Sequence, residues 1–199
     1  MKKLYYFCLD FFIGILISIL FFSCVTARPP EKEVCSRKIA DSAVKNSYQL
    51  AGFFISMNPE ADLNEIQKMA EVYISEARAE GINSDVAFVQ MCLETGFLRF
   101  GNLVTPDMHN YCGLGAIDAE HRGERFDTME QGIRAHIQHL HAYGTTEDKK
   151  LKNELIDNRY KWVLPRGKAQ DIYGLAGTWA SDKQYGEKLE HLLSRLDEY

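Results

Sequence analysis

The chain is 199 residues long, 46% hydrophobic and 26% charged, with a formal net charge of −5. That length accommodates one domain with a substantial core behind an N-terminal leader. Its negative balance, with no basic stripe to release phosphate counterions, excludes nucleic acid as the expected partner, whereas a neutral or anionic glycan needs no such stripe.

Lys2 and Lys3 precede an apolar run from Phe11 to Phe22, and Ser23 supplies a small residue before Cys24. This is the layout of an export signal over residues 1–23. A retained membrane span is the alternative, but Asp10 interrupts it at a cost of up to about 3 kcal/mol, and the uninterrupted run is short for a bilayer. The end Phe21-Phe22-Ser23-Cys24 is similar to a loose bacterial lipobox, although a phenylalanine stands where leucine is usual. That similarity implies lipidation of Cys24 and an exported lipoprotein anchored in the membrane of the cell envelope. Residues 24–42, with Pro29-Pro30 and mixed charges, read as an extended tether. Once Cys8 leaves with the signal and Cys24 is modified, Cys35, Cys92 and Cys112 are an odd set that permits at most one internal pair. Free thiols are the favoured reading.

Helices follow. Residues 43–56 carry Tyr48, Leu50, Ala51, Phe53, Phe54 and Ile55 before a stop at Asn58-Pro59, and residues 63–80 carry Ile66, Met69, Ala70, Tyr73, Ile74 and Ala77 at helical spacing. A third helix starts at a cap on Asn83 or Ser84, runs through Val86, Ala87, Val89, Met91 and Leu93, and stops at Gly96. Glu94 lies in its last turn, where a carboxylate faces the negative end of the helix dipole at a cost of up to roughly 1 kcal/mol. Gln90 is one turn back on the same face and is placed to hold the carboxyl, while Phe88, Met91 and Leu93 make an apolar neighbourhood. Desolvation there raises a carboxyl pKa, and an acid still protonated near neutral pH can protonate a leaving group. A solvated or salt-bridged helix-end glutamate is the competing reading.

Residues 102–126 lack helical periodicity and are rich in Gly, Asn, Asp and His, as expected of a loop or small β-hairpin lobe over a cleft. A next helix over 129–143 presents Ile133, Ile137 and Leu140 to the core, with Asp127 as its expected cap. His136 and His139 share a face but His141 points elsewhere, and no glutamate completes a zinc-protease pair, so neither a metal nor another cofactor is expected. A charged connection spans 144–152. Ser181 or Asp182 is the expected cap of a last helix over 184–196.

Four ordered blocks carry a resemblance: Glu80 to Gly101, Asn110-Tyr111-Cys112-Gly113-Leu114-Gly115, Gly132 to Leu140, and Leu175 to Asp182 followed by Tyr185-Gly186-Glu187-Lys188. Together they resemble the glucosaminidase domain of bacterial peptidoglycan hydrolases, glycoside hydrolase family 73, over residues 45–196. The resemblance implies a mainly α, lysozyme-like domain over residues 43–199, with the irregular lobe covering a glycan groove. It implies cleavage of β-1,4 bonds of cell-wall glycan after GlcNAc, and Glu94 matches the family's catalytic acid. Asn110 and Tyr111 match groove-lining positions, Asn110 to bond the sugar and Tyr111 to stack on it; turn chemistry and core packing are their structural alternatives. Gln90 joins them as an expected substrate contact.

The segment Arg159 to Gly167 resembles the family's groove-closing stretch, with Trp162 expected to pack under the lobe. Trp179 stands where the family motif usually begins with tyrosine. An indole stacks on sugar but supplies no phenolic hydroxyl, so a tyrosine-dependent step passes to Tyr173 or Tyr185, or is absent. A second catalytic carboxylate has candidates in Asp118, Glu120, Glu124 and Asp127, of which Glu120 is preferred. A muramidase or lytic transglycosylase, and a peptidoglycan-binding module without turnover, are the alternative functions of a monomer.

Overall fold

The computed structural model describes Glu33–Tyr199. Those residues form five α-helices: α1 (Ser47–Met57), α2 (Leu63–Glu80), α3 (Ser84–Thr95), α4 (Met129–Gly144) and α5 (Tyr185–Leu196). The expected export signal, the Cys24 lipidation site and the start of the tether lie outside the described residues. Three single-turn 3-10 helices at Pro106–Met108, Tyr160–Trp162 and Tyr173–Leu175, and isolated β-bridges, supply the remaining regular structure among them. The mainly α architecture is that of the lysozyme-like domain the resemblance implies.

Helix α3 is the hub, and it touches each of the other four helices. Its sequence explains this: apolar residues go all the way round, so no face suits water. All its positions but Leu93 and Glu94 are buried. Phe88 is fully enclosed, edge-on to Tyr73 at 5.7 Å and to Phe54 at 6.2 Å. Each such side chain contributes about 1.5–3 kcal/mol of burial. α2 lies against both α1 and α4, and α5 closes the far side of α3.

The buried start of α3 organises the chain before it. Asn83 caps the helix, its Oδ1 accepting from the Asp85 and Val86 N–H groups, and its Nδ2 donates to the carbonyls of Ser36 (3.0 Å) and Lys38 (3.2 Å). Asp85 accepts from the backbone of Val44 and Lys45. Desolvation raises the Asp85 pKa, opposed by those backbone donors.

Two boundaries change as a result. The tether expected over 24–42 does not extend past Glu33 as a free segment: Cys35 and Ile39 are buried, and Arg37 grips Glu190 (2.6 Å) and Asp197 (3.1 Å). Helix α1 starts at Ser47 instead of residue 43, because the Val44 and Lys45 N–H groups are bound by Asp85 and Asn46 forms a capping box with Gln49. Similarly, Thr128, not Asp127, caps α4, accepting from the Gln131 N–H. At the head of α5, Gln184 is the cap position and Asp182 holds the preceding turn through the Gln184 N–H.

Trp162 does not pack under the lobe; it is 59% exposed. The cysteines Cys35, Cys92 and Cys112 are buried free thiols.

Candidate active site

Helix α3 ends where the cleft begins. Gly96 closes it in the left-handed conformation, and Phe97, Leu98 and Phe100 also have positive φ, at 57°, 59° and 54°. Left-handed backbone costs a side-chain-bearing residue about 1–2 kcal/mol. Two features offset it here. Phe97 is buried at 5.8 Å from Phe53 and 5.5 Å from Phe54, and Thr95 Oγ1 accepts from the Leu98 N–H at 2.9 Å. This tight turn brings Phe100 round to the wall of a cleft of about 350 Å³, which Glu94, Asn110, Cys112, Gly113, Trp179 and Ser181 also line. That volume is at the lower end for small-ligand sites.

Within the cleft the two oxygens of Glu94 differ. Oε1 accepts from the Tyr185 hydroxyl in a short bond and from Trp179 Nε1 at 3.1 Å. Oε2 accepts no hydrogen bond from the described residues and lies toward Gly113, whose absent Cβ would sit 3.9 Å away. When Glu94 is protonated, the two donors held by Oε1 leave Oε2 as the oxygen that carries the proton. Burial desolvates the group and raises its pKa, and the two donors on Oε1 pull in the opposite direction without cancelling it. The arrangement leaves the cleft-facing oxygen as the one able to carry a proton and give it up.

Behind Glu94 runs a chain of buried polar groups with a fixed direction. The Tyr185 hydroxyl, committed to Glu94, accepts from Gln90 Nε2 at 2.9 Å. Gln90 Oε1 in turn takes the His136 Nε2–H at 3.0 Å, and the Tyr73 hydroxyl lies 3.0 Å from His136 Nδ1. An amide oxygen only accepts, so His136 carries its proton on Nε2 and Tyr73 donates to Nδ1. Burial is consistent with that neutral ring, pushing the His136 pKa down to about 3, with His139 nearby adding to the shift. Trp179 is set by packing: its ring sits 5.1 Å from His139, 5.2 Å from Tyr143 and 5.9 Å from His136. His139 is fixed by Asp157 at 2.7 Å.

The other expected site residues go to different places. Gln90 is fully buried and reaches neither the cleft nor the carboxyl directly, so it is no substrate contact; it acts through Tyr185. Asn110 lines the cleft but is 1% exposed, and its side chain is spent on the lobe, donating to the Leu114 and Glu124 carbonyls and accepting from the Leu114 N–H. Tyr111 is in the core on the far side of the lobe, beside Glu65 and Met129, and offers no face to a sugar at Glu94. Glu120 stands exposed on the turn 118–121 and does not line the cleft, where Glu94 is the one carboxyl among the described residues. Tyr173 is 47% exposed and bonds Glu190, leaving Tyr185 as the tyrosine on the acid.

The histidine chain was missed by sequence reasoning. The available signal was His136 itself, a polar residue amid Ile133, Ile137 and Leu140 on the buried face of α4. The lobe meets α4 through Gly132, where a Cβ would come within 1.7 Å of the His109 carbonyl oxygen. Only glycine permits that approach.

Residues 70–198, which include α3, the lobe, α4 and α5, match the family model described as "Mannosyl-glycoprotein endo-beta-N-acetylglucosaminidase". A protein of Borreliella burgdorferi, described as "Uncharacterized protein", is 41% identical over 150 residues, 75% of this chain and 72% of that protein.

Proposed function

Since this chain belongs to the glucosaminidase family of glycoside hydrolases, we propose that it is an endo-β-N-acetylglucosaminidase of bacterial peptidoglycan in which Glu94 is the general acid. The observation that carries this reading is the asymmetry of Glu94. Oε1 is tied by Tyr185 and Trp179, and Oε2 is left to the cleft on an acid whose pKa is raised by burial.

In the proposed reaction Oε2–H protonates the glycosidic oxygen as the C1–O bond breaks. With Glu94 the one carboxyl lining the cleft among the described residues, the GlcNAc acetamido oxygen supplies the second group by closing on C1. The Glu94 carboxylate then takes a proton from water as that water opens the cyclic intermediate. The product is a GlcNAc reducing end with retained configuration, and the acid is restored.

The lone carboxyl equally suits a muramidase or lytic transglycosylase acting on the neighbouring bond, or a binding module. Digesting purified peptidoglycan with the protein and with Glu94→Gln, followed by mass spectrometry of the reducing ends, separates these. GlcNAc ends lost in the variant support the proposal. MurNAc ends or anhydro-MurNAc ends would replace it with a muramidase or transglycosylase, and unaltered glycan would leave binding alone.

We propose further that residues 1–23 direct export and that Cys24 is lipidated, holding a monomeric enzyme on the envelope membrane beside its substrate. Metabolic labelling with a fatty acid, lost in Cys24→Ser, tests this.

A further inference from the structure

Residues 159–168 carry Arg159, Lys161, Arg166 and Lys168 and no acid, in a chain whose net charge is −5. Two of these cations have structural work. Arg166 lies over the Tyr160 ring at 4.4 Å and donates to the Ala142 carbonyl, and Lys168 lies over Tyr143 at 4.8 Å. The other two both stand over one indole: the Arg159 guanidinium is 4.9 Å and the Lys161 ammonium 5.8 Å from the centre of the Trp162 ring. Neither has a carboxylate partner among the described residues, and Trp162 is more than half exposed. Burial does not explain a large exposed indole flanked by two unpaired cations.

This cluster borders the cleft. The Arg159 Nη1 lies 3.5 Å from the position a Cβ would take on Gly115, and the next residue, Ala116, lines the cleft that holds Glu94. Arg159 therefore rests on the outer side of the wall formed by the lobe.

We infer that Trp162, Arg159 and Lys161 form a second binding site at the cleft rim for the carboxylate-bearing peptide stem of peptidoglycan and the sugar from which it hangs; this rests on the peptidoglycan reading above. The indole, more than half exposed, offers apolar surface to the C–H side of a sugar ring. The guanidinium, held in place over that indole, presents a fork to a carboxylate, and Lys161 adds a second charge. An uncharged amino-sugar polymer would leave both cations without a partner, so the site selects for stem-bearing glycan.

Sedimentation with insoluble peptidoglycan tests this, using Glu94→Gln protein so that the polymer is not consumed. The comparison polymer is chitin, an uncharged β-1,4-linked GlcNAc polymer that carries neither stems nor lactyl carboxylates. The Glu94→Gln protein is expected to prefer stem-bearing glycan by roughly tenfold, the sum of two exposed charge pairs. That preference falls toward one when Arg159→Gln and Lys161→Gln are added, and also in high salt. Adding Trp162→Ala weakens binding to both polymers. A preference that survives the double charge removal, or that is absent from the start, overturns the inference. Cleavage by the unsubstituted protein is scored separately. Stem-selective binding through these cations without release of reducing ends would keep the site and discard the hydrolase reading.

Discussion

Trp179 Nε1 donates to Glu94 Oε1 at 3.1 Å, and the same indole is boxed in by His136, His139 and Tyr143. Where the family motif usually opens with a tyrosine, this chain gives the acid an N–H instead. A hydrogen bond to a carboxylate favours the charged form, so removing it raises the pKa of the acid further. Trp179→Phe keeps the packing and loses the donor. Its pH–rate profile is expected to show the basic limb displaced to higher pH; a limb that stays in place would mean that the indole N–H does not tune the acid.

Glu94→Gln removes the proposed proton donor, and turnover on peptidoglycan is expected to fall roughly 10²–10⁴-fold. Stability should move the other way. The folded-state pKa of Glu94 lies above its ordinary value of 4.5, so the folded state binds the proton more tightly. The contribution of Glu94 to stability is then full below pH 4.5 and lost as pH rises through the folded pKa. Melting at pH 8 is expected to find the glutamine variant more stable than the parent, with the gap narrowing toward pH 4.

Gln90→Leu strands the His136 Nε2–H and takes a donor from Tyr185, while His136→Leu strands Gln90 Oε1 and the Tyr73 hydroxyl. Each stranded buried group costs about 1–3 kcal/mol. The double variant leaves fewer orphans than the two singles together, so denaturation of all four proteins is expected to give a coupling energy that opposes additivity. Strict additivity would show that the two side chains act independently.

Two buried histidines set the acid side of the stability curve. Burial lowers the His136 pKa to about 3, and burial with Arg166 nearby lowers that of His141 to about 4. Both rings are neutral in the folded protein and take up protons on unfolding below the ordinary value of 6.5. Stability is therefore lost as pH falls from 6.5 toward about 4, by up to about 1.4 kcal/mol per pH unit for each ring. Glu94 and Asp85, with raised pKa values, oppose this trend. The difference between parent and His141→Gln isolates one ring, and the variant is expected to show the shallower slope in urea titrations across that window.

Gly132→Ala pushes a methyl group into the His109 carbonyl, 1.7 Å from where the Cβ must go. The lobe has to lift from α4, and the cleft wall with it. A stability loss of about 1–3 kcal/mol, typical of overpacking, is expected, together with a rise in KM for glycan. Parent-like values of both would mean that the lobe is free to move on α4.

Much of the fold was legible because periodicity in this chain is unambiguous. Leu63–Glu80 appears as expected, with a cap on Asp62 and a left-handed Gly81, and α3 was marked by apolar residues without strand alternation. The start of α1 was not legible, since the carboxylate that binds the N–H groups of Val44 and Lys45 belongs to Asp85, about forty positions away. Glu94 stood out as an acid at a helix end where the dipole opposes it. Gln90, Asn110 and Tyr111 were also marked, but as substrate contacts; all three are buried, and although Asn110 lines the cleft its side chain, like that of Gln90, is engaged inside the protein. A sequence position tells which residues are near the acid in the chain, not which way their amides and rings turn.

By itself the sequence determined most of the helices and the family, because these follow from local pattern and from ordered motifs, and it marked Glu94 as the candidate acid. Only the tertiary structure decided which oxygen of Glu94 is tied and which is left to the cleft, through donors 85 and 91 residues away on Trp179 and Tyr185. It also decided that Trp162 faces solvent beside the lobe. Hydrogen-bond direction and desolvation are properties of groups brought together in space, and helices packed around α3 are what bring them together.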